Sequence, residues 1–358
     1  MEITAALIAE ALKAGRAEKL GGEIEYVRFR DAHAGIAHGT VIAGKRAIRG
    51  YPHIKRIFTL ENGLRRNMQD AELYAEEKID GFNVRIASVD GNVFAFSRGG
   101  FLDAFVTEKA RGERGIAAFL RDNPDAVLCC EMIGNTPYTA PTDGYDVKMF
   151  IFDIDRGDGT HVPCGQRYAL VKRYDLLSVP LLGKFRSDDY PGLRKLALAL
   201  NKGKKEGMVL KGTGGKSTVK YVTPWSDIDD IAKSSGMLFD MPIGFFYQRV
   251  LRSAFFINDF GLDRDAYALK LGKAFYEGLE AALDKAARGA DVDEEFEIAI
   301  RDPKIWDDIH RHMSHEVKLG ELWRRKDKDG RIRIRFRKTY KKTTKTLASY
   351  SHGKGITD

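Results

Sequence analysis

The chain has 358 residues, of which 43% are hydrophobic and 31% charged, a balance that excludes wholesale disorder and allows two to four folded domains. No apolar run approaches the roughly 20 residues that span a bilayer, so no membrane partner is expected. The formal charge of +8 is concentrated: between Arg324 and Lys345 twelve Lys or Arg stand against two Asp, leaving the remainder slightly acidic, and such an end attracts a polyanion.

In chain order, Met1–Arg16 reads as a short amphipathic helix containing Glu2 and Glu10. It lacks the basic leader and unbroken apolar stretch of a secretory signal, so the protein is expected in the cytoplasm. Strand-like stretches follow at Gly39–Ile42 and Ile54–Leu60, with a turn at Gly50-Tyr51-Pro52. Short β-rich runs recur at Asn83–Ser88, Val93–Ser97, Ala126–Glu131, Lys148–Ile154, Gly207–Lys211 and Ser217–Val222, with helical patterns at Gly115–Arg121 and Tyr190–Asn201. These predict an α+β domain of antiparallel sheets with flanking helices. Cys129, Cys130 and Cys164 have neither zinc-site nor disulfide-framework spacing and read as small buried residues.

Residues 236–310 read as mainly helical. In Arg264–Arg288, Leu271, Phe275, Leu279 and Leu283 recur every four positions, and Gly289 follows as a stop. The cluster Phe245, Phe246, Tyr247, Phe255 and Phe256 suits either the core of a helical module or a face completed by a second subunit. From about His315 the pattern is a hairpin turning at Asp329-Gly330. In its return strand Arg331, Arg333, Arg335 and Arg337 alternate with Ile332, Ile334 and Phe336, so a period of two puts the arginines on one face. A solvated outer face is the plain reading of such a row. With Lys338, Lys341, Lys342 and Lys345 behind it, the row is read as a nucleic-acid contact.

The chemistry centres on Glu76-Glu77-Lys78-Ile79-Asp80-Gly81-Phe82-Asn83-Val84-Arg85. A lysine that sheds its proton can attack the α-phosphorus of a nucleotide, expelling pyrophosphate. Asp80 is placed to orient the amine or a metal, Gly81 to let the backbone come close to the nucleotide, and Asn83 to bond its ribose. Four such residues recur by chance, but other pieces follow in order. Arg98 sits beside Gly99-Gly100, Glu131 ends a strand, and Phe150 and Phe152 offer rings for a base. Glu206 is a carboxylate suited to magnesium beside phosphate, and Lys220 is a second lysine able to neutralise the α-phosphate. Residues 211–218 look superficially like a phosphate-binding P-loop, but Leu210 stands where that pattern needs glycine, and a β-hairpin turn is the better reading.

Six blocks over residues 78–221 resemble the covalent nucleotidyltransferase superfamily of DNA ligases, RNA ligases and capping enzymes. The resemblance implies an ATP-grasp-like nucleotidyltransferase domain in which Lys78 carries AMP. Asn83, Arg98 and Glu131 would contact sugar and phosphate, and Phe152, less surely Phe150, would stack on the base. Glu206 would hold Mg2+ (or Mn2+), Lys220 would contact the α-phosphate, and Glu77 would help recognise adenine. DNA ligases carry arginine five residues after the nucleophile; Asn83 is the RNA ligase pattern. With residues 50–56 and 336–340 added, the chain looks like the archaeal ATP-dependent homodimeric RNA ligases. That likeness implies an N-terminal module (1–65), the adenylation domain (66–235), a helical dimerisation domain (236–314) and a small basic C-terminal domain (315–358). Thr218 stands where the family's last block carries the first of two lysines, with Lys211 or Lys216 as substitutes. The expected reaction joins 5′-phosphate and 3′-hydroxyl RNA ends through lysyl-AMP and RNA-adenylate. The rivals are a 5′-end adenylase, a DNA ligase, and a non-catalytic RNA-binding dimer.

Overall fold

The structure is a computed structural model describing residues 3–139, 144–314 and 316–356. The first two residues of the expected N-terminal helix, Met1 and Glu2, and the expected domain start at His315 lie outside the described residues. The chain is α+β, and its two compact units cut across the linear order. The first gathers residues up to His53, Asp80–Val179 and Ala299–Ile309; the second gathers Ile54–Ile79, Pro180–Ile298 and His310 onward. The chain therefore passes between them inside the Lys78-Ile79-Asp80-Gly81 segment.

In the first unit a four-stranded antiparallel meander (Ala17–Leu20, Tyr26–Phe29, Val41–Ala43, Arg46–Ile48) adjoins a five-stranded sheet. The order of the latter is Leu177–Ser178, Val147–Asp155, Val127–Gly134, Phe82–Val89, Asn92–Ser97, antiparallel except for its first pair. Tyr26, Val41, Ala43 and Ile48 share one core with Ala87, Val89, Phe94, Phe96 and Val127, which fuses the meander to the larger sheet. The helix Ala5–Lys13 starts at Thr4, whose hydroxyl accepts from the Leu7 N–H. Cys129 and Cys130 are buried as expected; Cys164, the first residue of Cys164–Arg173, is only partly so.

The second unit holds a five-stranded sheet in the order Leu181–Arg186, Glu72–Lys78, Gly207–Gly212, Thr218–Val222, Lys55–Arg56. Alternation divides its residues between two faces. On one, Leu73, Ala75, Met208, Leu210, Val219 and Tyr221 pack under the helices Leu60–Asn67 and Tyr190–Lys202, joined by Leu60, Leu64, Leu193, Ala197 and Phe256. Each fully buried leucine there contributes about 1.5–3 kcal/mol relative to exposure. The other face carries Glu76, Lys78, Lys211 and Lys220. Residues 212–217 form a hairpin turn with Gly215 at φ +72°, as the strand–turn–strand reading requires.

Two expectations are corrected here. The strand Ile54–Leu60 shrinks to Lys55–Arg56, because Leu60 already opens a helix whose Leu60 and Leu64 are drawn into the core. Residues 236–310 are helical only in part: beyond the helices Phe245–Phe260 and Arg264–Ala287 comes the strand Asp293–Ile300, which pairs beside Ile332–Thr339, with Lys318–Lys326 on its far side. The face of Arg264–Ala287 that packs closest is also not the leucine stripe. Ala274, Ala282 and Ala286 are buried, and a Cβ on Gly278 would lie 2.1 Å from Ser235 Oγ, so small residues set the approach. Leu283 stays exposed, along with Leu269 and Tyr276.

Candidate active site

On the charged face of the second unit's sheet, the Lys78 Nζ donates to Glu206 Oε2 at 2.6 Å. Lys78 ends its strand opposite Gly207, and Glu206 immediately precedes that glycine, so register alone brings nucleophile and carboxylate together. Two residues earlier, Glu76 pairs with Lys211 at 3.1 Å, both almost wholly buried. In the next ladder Lys220 is opposite Val209, and Lys211 is opposite Thr218. Lys211 thus stands across the ladder from the threonine that replaces the family lysine, whereas Lys216 lies in the exposed hairpin turn. Glu77 has the other parity. Its carboxylate reaches Lys205 at 2.9 Å on the core side of the strand, the face opposite Lys78.

One strand beyond Lys220, Arg56 is its direct partner in a parallel ladder. Around it lies an ionic network that sequence reading missed. Arg249 bonds Asp230 at 2.7 Å, and Arg252 bonds the buried Asp227. Burial pushes the Asp227 carboxyl up to about 8, with Arg56 and Arg249 opposing and Asp230 and Glu206 adding to the rise. Burial lowers the Arg56 guanidinium, opposed by the charges of Asp227 and Glu206. Nothing in sequence spacing links residues 56, 227 and 252. Only the pairing of Lys55–Arg56 onto Thr218–Val222 could have placed the first of them.

In the first unit Asn83, Glu131 and Phe150 form one row across three strands, Asn83 opposite Glu131 and Glu131 opposite Phe150. Directly opposed residues share a face, so three expected nucleoside contacts stand side by side. Among the described residues the buried Asn83 Oδ1 has no hydrogen-bond partner, which leaves an acceptor for a ligand donor such as a ribose hydroxyl. Phe152 falls at a bulge between Ile151 and Asp153, out of that row, with its ring edge-on to Tyr51 at 5.1 Å. The Tyr51 hydroxyl donates to Asp153 at 2.8 Å. Phe150 thus stands in the Asn83–Glu131 row, and Phe152 stands beside it at the bulge.

Arg98 follows the Asn92–Ser97 strand and bonds His53 at 3.0 Å on the surface. Asp80 is exposed. A Cβ on Gly81 would lie 2.5 Å from the Met132 carbonyl oxygen, so close strand packing by itself demands glycine there. Arg85, quoted in the motif without a role, is fully buried and donates to the carbonyls of Arg49, Gly39 and Ser97 at 2.6, 2.7 and 2.9 Å. Burial lowers its guanidinium to about 10. It ties the meander to the strand end preceding Arg98.

The C-terminal strand confirms the alternation and corrects its meaning. Ile334 and Phe336 are buried while Arg333, Arg335 and Arg337 share the opposite face. Those arginines meet carboxylates: Arg333 with Glu297 at 3.1 Å and Asp327 at 2.6 Å, Arg335 with Glu295 at 2.8 Å, Arg337 with Asp293 at 2.7 Å. Arg331, just before the strand, pairs with Asp329 at 2.6 Å. The row is not a free positive stripe; the acidic strand Asp293–Ile300 neutralises most of it. Lys338 is on the apolar face, 6% exposed, with its ammonium 3.8 Å from the Phe296 ring centroid, so it leaves the set of expected nucleic-acid contacts. Lys342 and Lys345 on the helix Lys341–Ser351 remain exposed.

Residues 71–222 match the RNA ligase family, and residues 235–354 match the ligase Pab1020 C-terminal region. The chain is 30% identical over 351 residues to the uncharacterized protein MJ0414 of Methanocaldococcus jannaschii, covering 92% of this chain and 88% of the relative. Among solved structures, a protein of Aquifex aeolicus provisionally described as an ATP-dependent DNA ligase is similar at 29% identity and TM-score 0.92, over 99% of this chain and 100% of that one. An archaeal ATP-dependent RNA ligase, solved in two forms, is similar at 25% and 26% identity with TM-score 0.89 in each, over 99% of this chain and 97% of the other.

Proposed function

The chain belongs to the RNA ligase family, and from that premise we propose that it is an ATP-dependent enzyme joining RNA ends through AMP carried on Lys78. One observation supports this above the rest: Lys78 and Glu206 meet at 2.6 Å on a sheet face that also carries Lys220, beside the buried Lys211–Glu76 pair, an arrangement suited to a polyphosphate.

Each step is an in-line displacement at phosphorus. Lys78 first parts from Glu206 and passes a proton to solvent; its nitrogen bonds the α-phosphorus, and the bond to the β-phosphate breaks with pyrophosphate leaving. An oxygen of the RNA 5′-phosphate then bonds that phosphorus, and the Lys78 nitrogen leaves and regains a proton. Finally a 3′-hydroxyl attacks the 5′-phosphorus, AMP leaves, and the hydroxyl proton passes to solvent. Lys220 neutralises the α-phosphate. Asn83 and Glu131 contact the ribose, Phe150 or Phe152 the base, and Arg98 phosphate, as their order in the family implies.

A divalent ion, Mg2+ or Mn2+, fits Glu206. Among the described residues no group of three or more carboxylate, His or Cys side chains is disposed to hold a metal, and one carboxylate with substrate phosphates is the usual magnesium arrangement. Such an ion supplies positive charge to the phosphate oxygens. Asp80 is a positioning candidate only, lying two residues beyond the nucleophile.

A homodimer is part of the same reading. Leu269, Tyr276 and Leu283 are exposed at intervals of seven on Arg264–Ala287, and Tyr247 and Val250 are exposed on Phe245–Phe260. Such rows are covered by a second helical surface. RNA is held chiefly by charge at the C-terminal end, through Lys342 and Lys345 more than through the paired arginines. No helix among the described residues is long and apolar enough to cross a membrane.

The test is ATP labelled at its α-phosphate, with magnesium. Label is expected covalently on the wild-type chain and absent from Lys78→Ala; an unlabelled wild type, or equal label on the variant, refutes the reading. The Aquifex likeness keeps DNA ends as a second acceptor reading. Sealing rates on matched RNA and DNA nicks decide between them.

A further inference from the structure

Around Glu206 the cations Lys78, Lys220, Arg56, Arg249 and Arg252 outnumber the carboxyls Glu206, Asp227 and Asp230 by at least two. Those carboxyls are already engaged, Glu206 by Lys78, Asp227 by Arg252 and Asp230 by Arg249. Arg56 forms no hydrogen bond or ion pair among the described residues, although it is more than half enclosed. Asp227 and Glu206 attract it without bonding it directly, so its donors stay available to an arriving anion.

Strand order says which anion. Lys78, Lys220 and Arg56 share one sheet face: Lys78 on Glu72–Lys78, Lys220 two strands away on Thr218–Val222 and offset by two residues from the Lys78 row, and Arg56 directly opposite Lys220 on Lys55–Arg56. Neighbouring strands are about 4.8 Å apart, so Arg56 lies one strand farther from the nucleophile than Lys220. In an in-line displacement the entering and leaving atoms lie on opposite sides of phosphorus. With Lys78 attacking and Lys220 at the α-phosphate, the group opposite Lys78 is directed past Lys220 toward the strand that carries Arg56.

We infer that Arg56 binds the phosphate opposite Lys78 across the reacting α-phosphorus: pyrophosphate leaving ATP in the first step, and the RNA 5′-phosphate entering the same position in the second. The inference rests on the adenylation reading above. Arg56 bonds form with phosphate oxygens and never with the α-phosphorus, so no covalent step passes through it.

The experiment compares wild type, Arg56→Ala and Arg56→Lys in three arms. Equilibrium binding of AMP, which lacks the distal phosphates, is expected to be unchanged. The adenylated enzyme, loaded to completion at high ATP, is then reacted with pyrophosphate or with 5′-phosphorylated RNA. Arg56→Ala should raise the half-saturating concentration of both by about ten- to a hundredfold, the loss of a charge-assisted pair, with Arg56→Lys between. A rise confined to one arm supports the site and assigns it to that phosphate alone. Unchanged half-saturation in both arms, or an equal loss of AMP affinity, overturns the inference. A wild type that takes no label from ATP defeats the ligase reading itself, a distinct outcome.

Discussion

Lys338 offers a perturbation whose size and pH dependence both follow from its position. Burial on the apolar face of the C-terminal sheet pushes its ammonium from 10.5 down to about 8, opposed by Glu294 and Glu316. At about 1.4 kcal/mol per pH unit, the charged form costs the folded protein about 3 kcal/mol. The contact with Phe296 at 3.8 Å offsets part of that cost, since a cation over a ring is worth about 0.5–2 kcal/mol. Lys338→Met keeps the stem's packing and removes the charge, so it should stabilise the protein by about 1–3 kcal/mol at pH 7. The folded pKa lies below the unfolded one, so the penalty is present in full below about 8. It is relieved as pH rises toward 10.5, because the folded chain loses the proton before the unfolded chain does. Urea unfolding followed by tryptophan fluorescence, with Trp323 on the neighbouring strand, measures the gap between variant and wild type at pH 7 and pH 10. A variant less stable than wild type at pH 7, or a gap that does not shrink at pH 10, refutes the argument. RNA affinity should be unchanged, since this lysine faces the core.

Glu206→Gln keeps the shape beside Lys78 but loses the charge, and should slow lysyl-AMP formation by roughly a hundredfold or more while leaving the fold intact, read by labelled AMP transfer and circular dichroism. Each cation in contact with single-stranded RNA adds about 0.7 to the slope of log affinity against log salt. Lys342→Ala with Lys345→Ala should therefore flatten that slope by about 1.4. Arg335→Ala, which unpairs Glu295, should change it by less than one contact's worth; equal flattening by both would restore the arginine row as the RNA surface. Leu269→Glu with Tyr276→Glu should halve the light-scattering mass. An unchanged mass would place any dimer contact elsewhere.

The strands around the site were legible because their alternation is strong. Asn83–Ser88, Val93–Ser97 and Gly207–Lys211 fall within observed strands, and the Asp329-Gly330 turn joins the last two. Even Lys338 could have been placed by parity, since it shares even-numbered positions with Ile334 and Phe336. What alternation cannot supply is the partner strand. Apart from Asp327, the carboxylates that neutralise Arg333, Arg335 and Arg337 lie 36 to 44 positions earlier, in a stretch read as helical. The bulge at Phe152 breaks the very period used to equate it with Phe150. Lys78 stood out through its neighbours in sequence, whereas Arg56 depends on a two-residue strand with no periodic signal at all.

The strand Glu72–Lys78 has one constraint that no single substitution reveals. Leu73 and Ala75 lie in the core, and Glu76 and Lys78 sit on the charged face, within a span of six residues. Inserting or deleting one residue there would exchange the two sets, driving a lysine into the hydrocarbon interior and a leucine into the phosphate surface. This segment can therefore vary in composition over evolution but not in length. A homologue with a one-residue gap between positions 73 and 78 should have lost adenylation, whatever it kept of the motif.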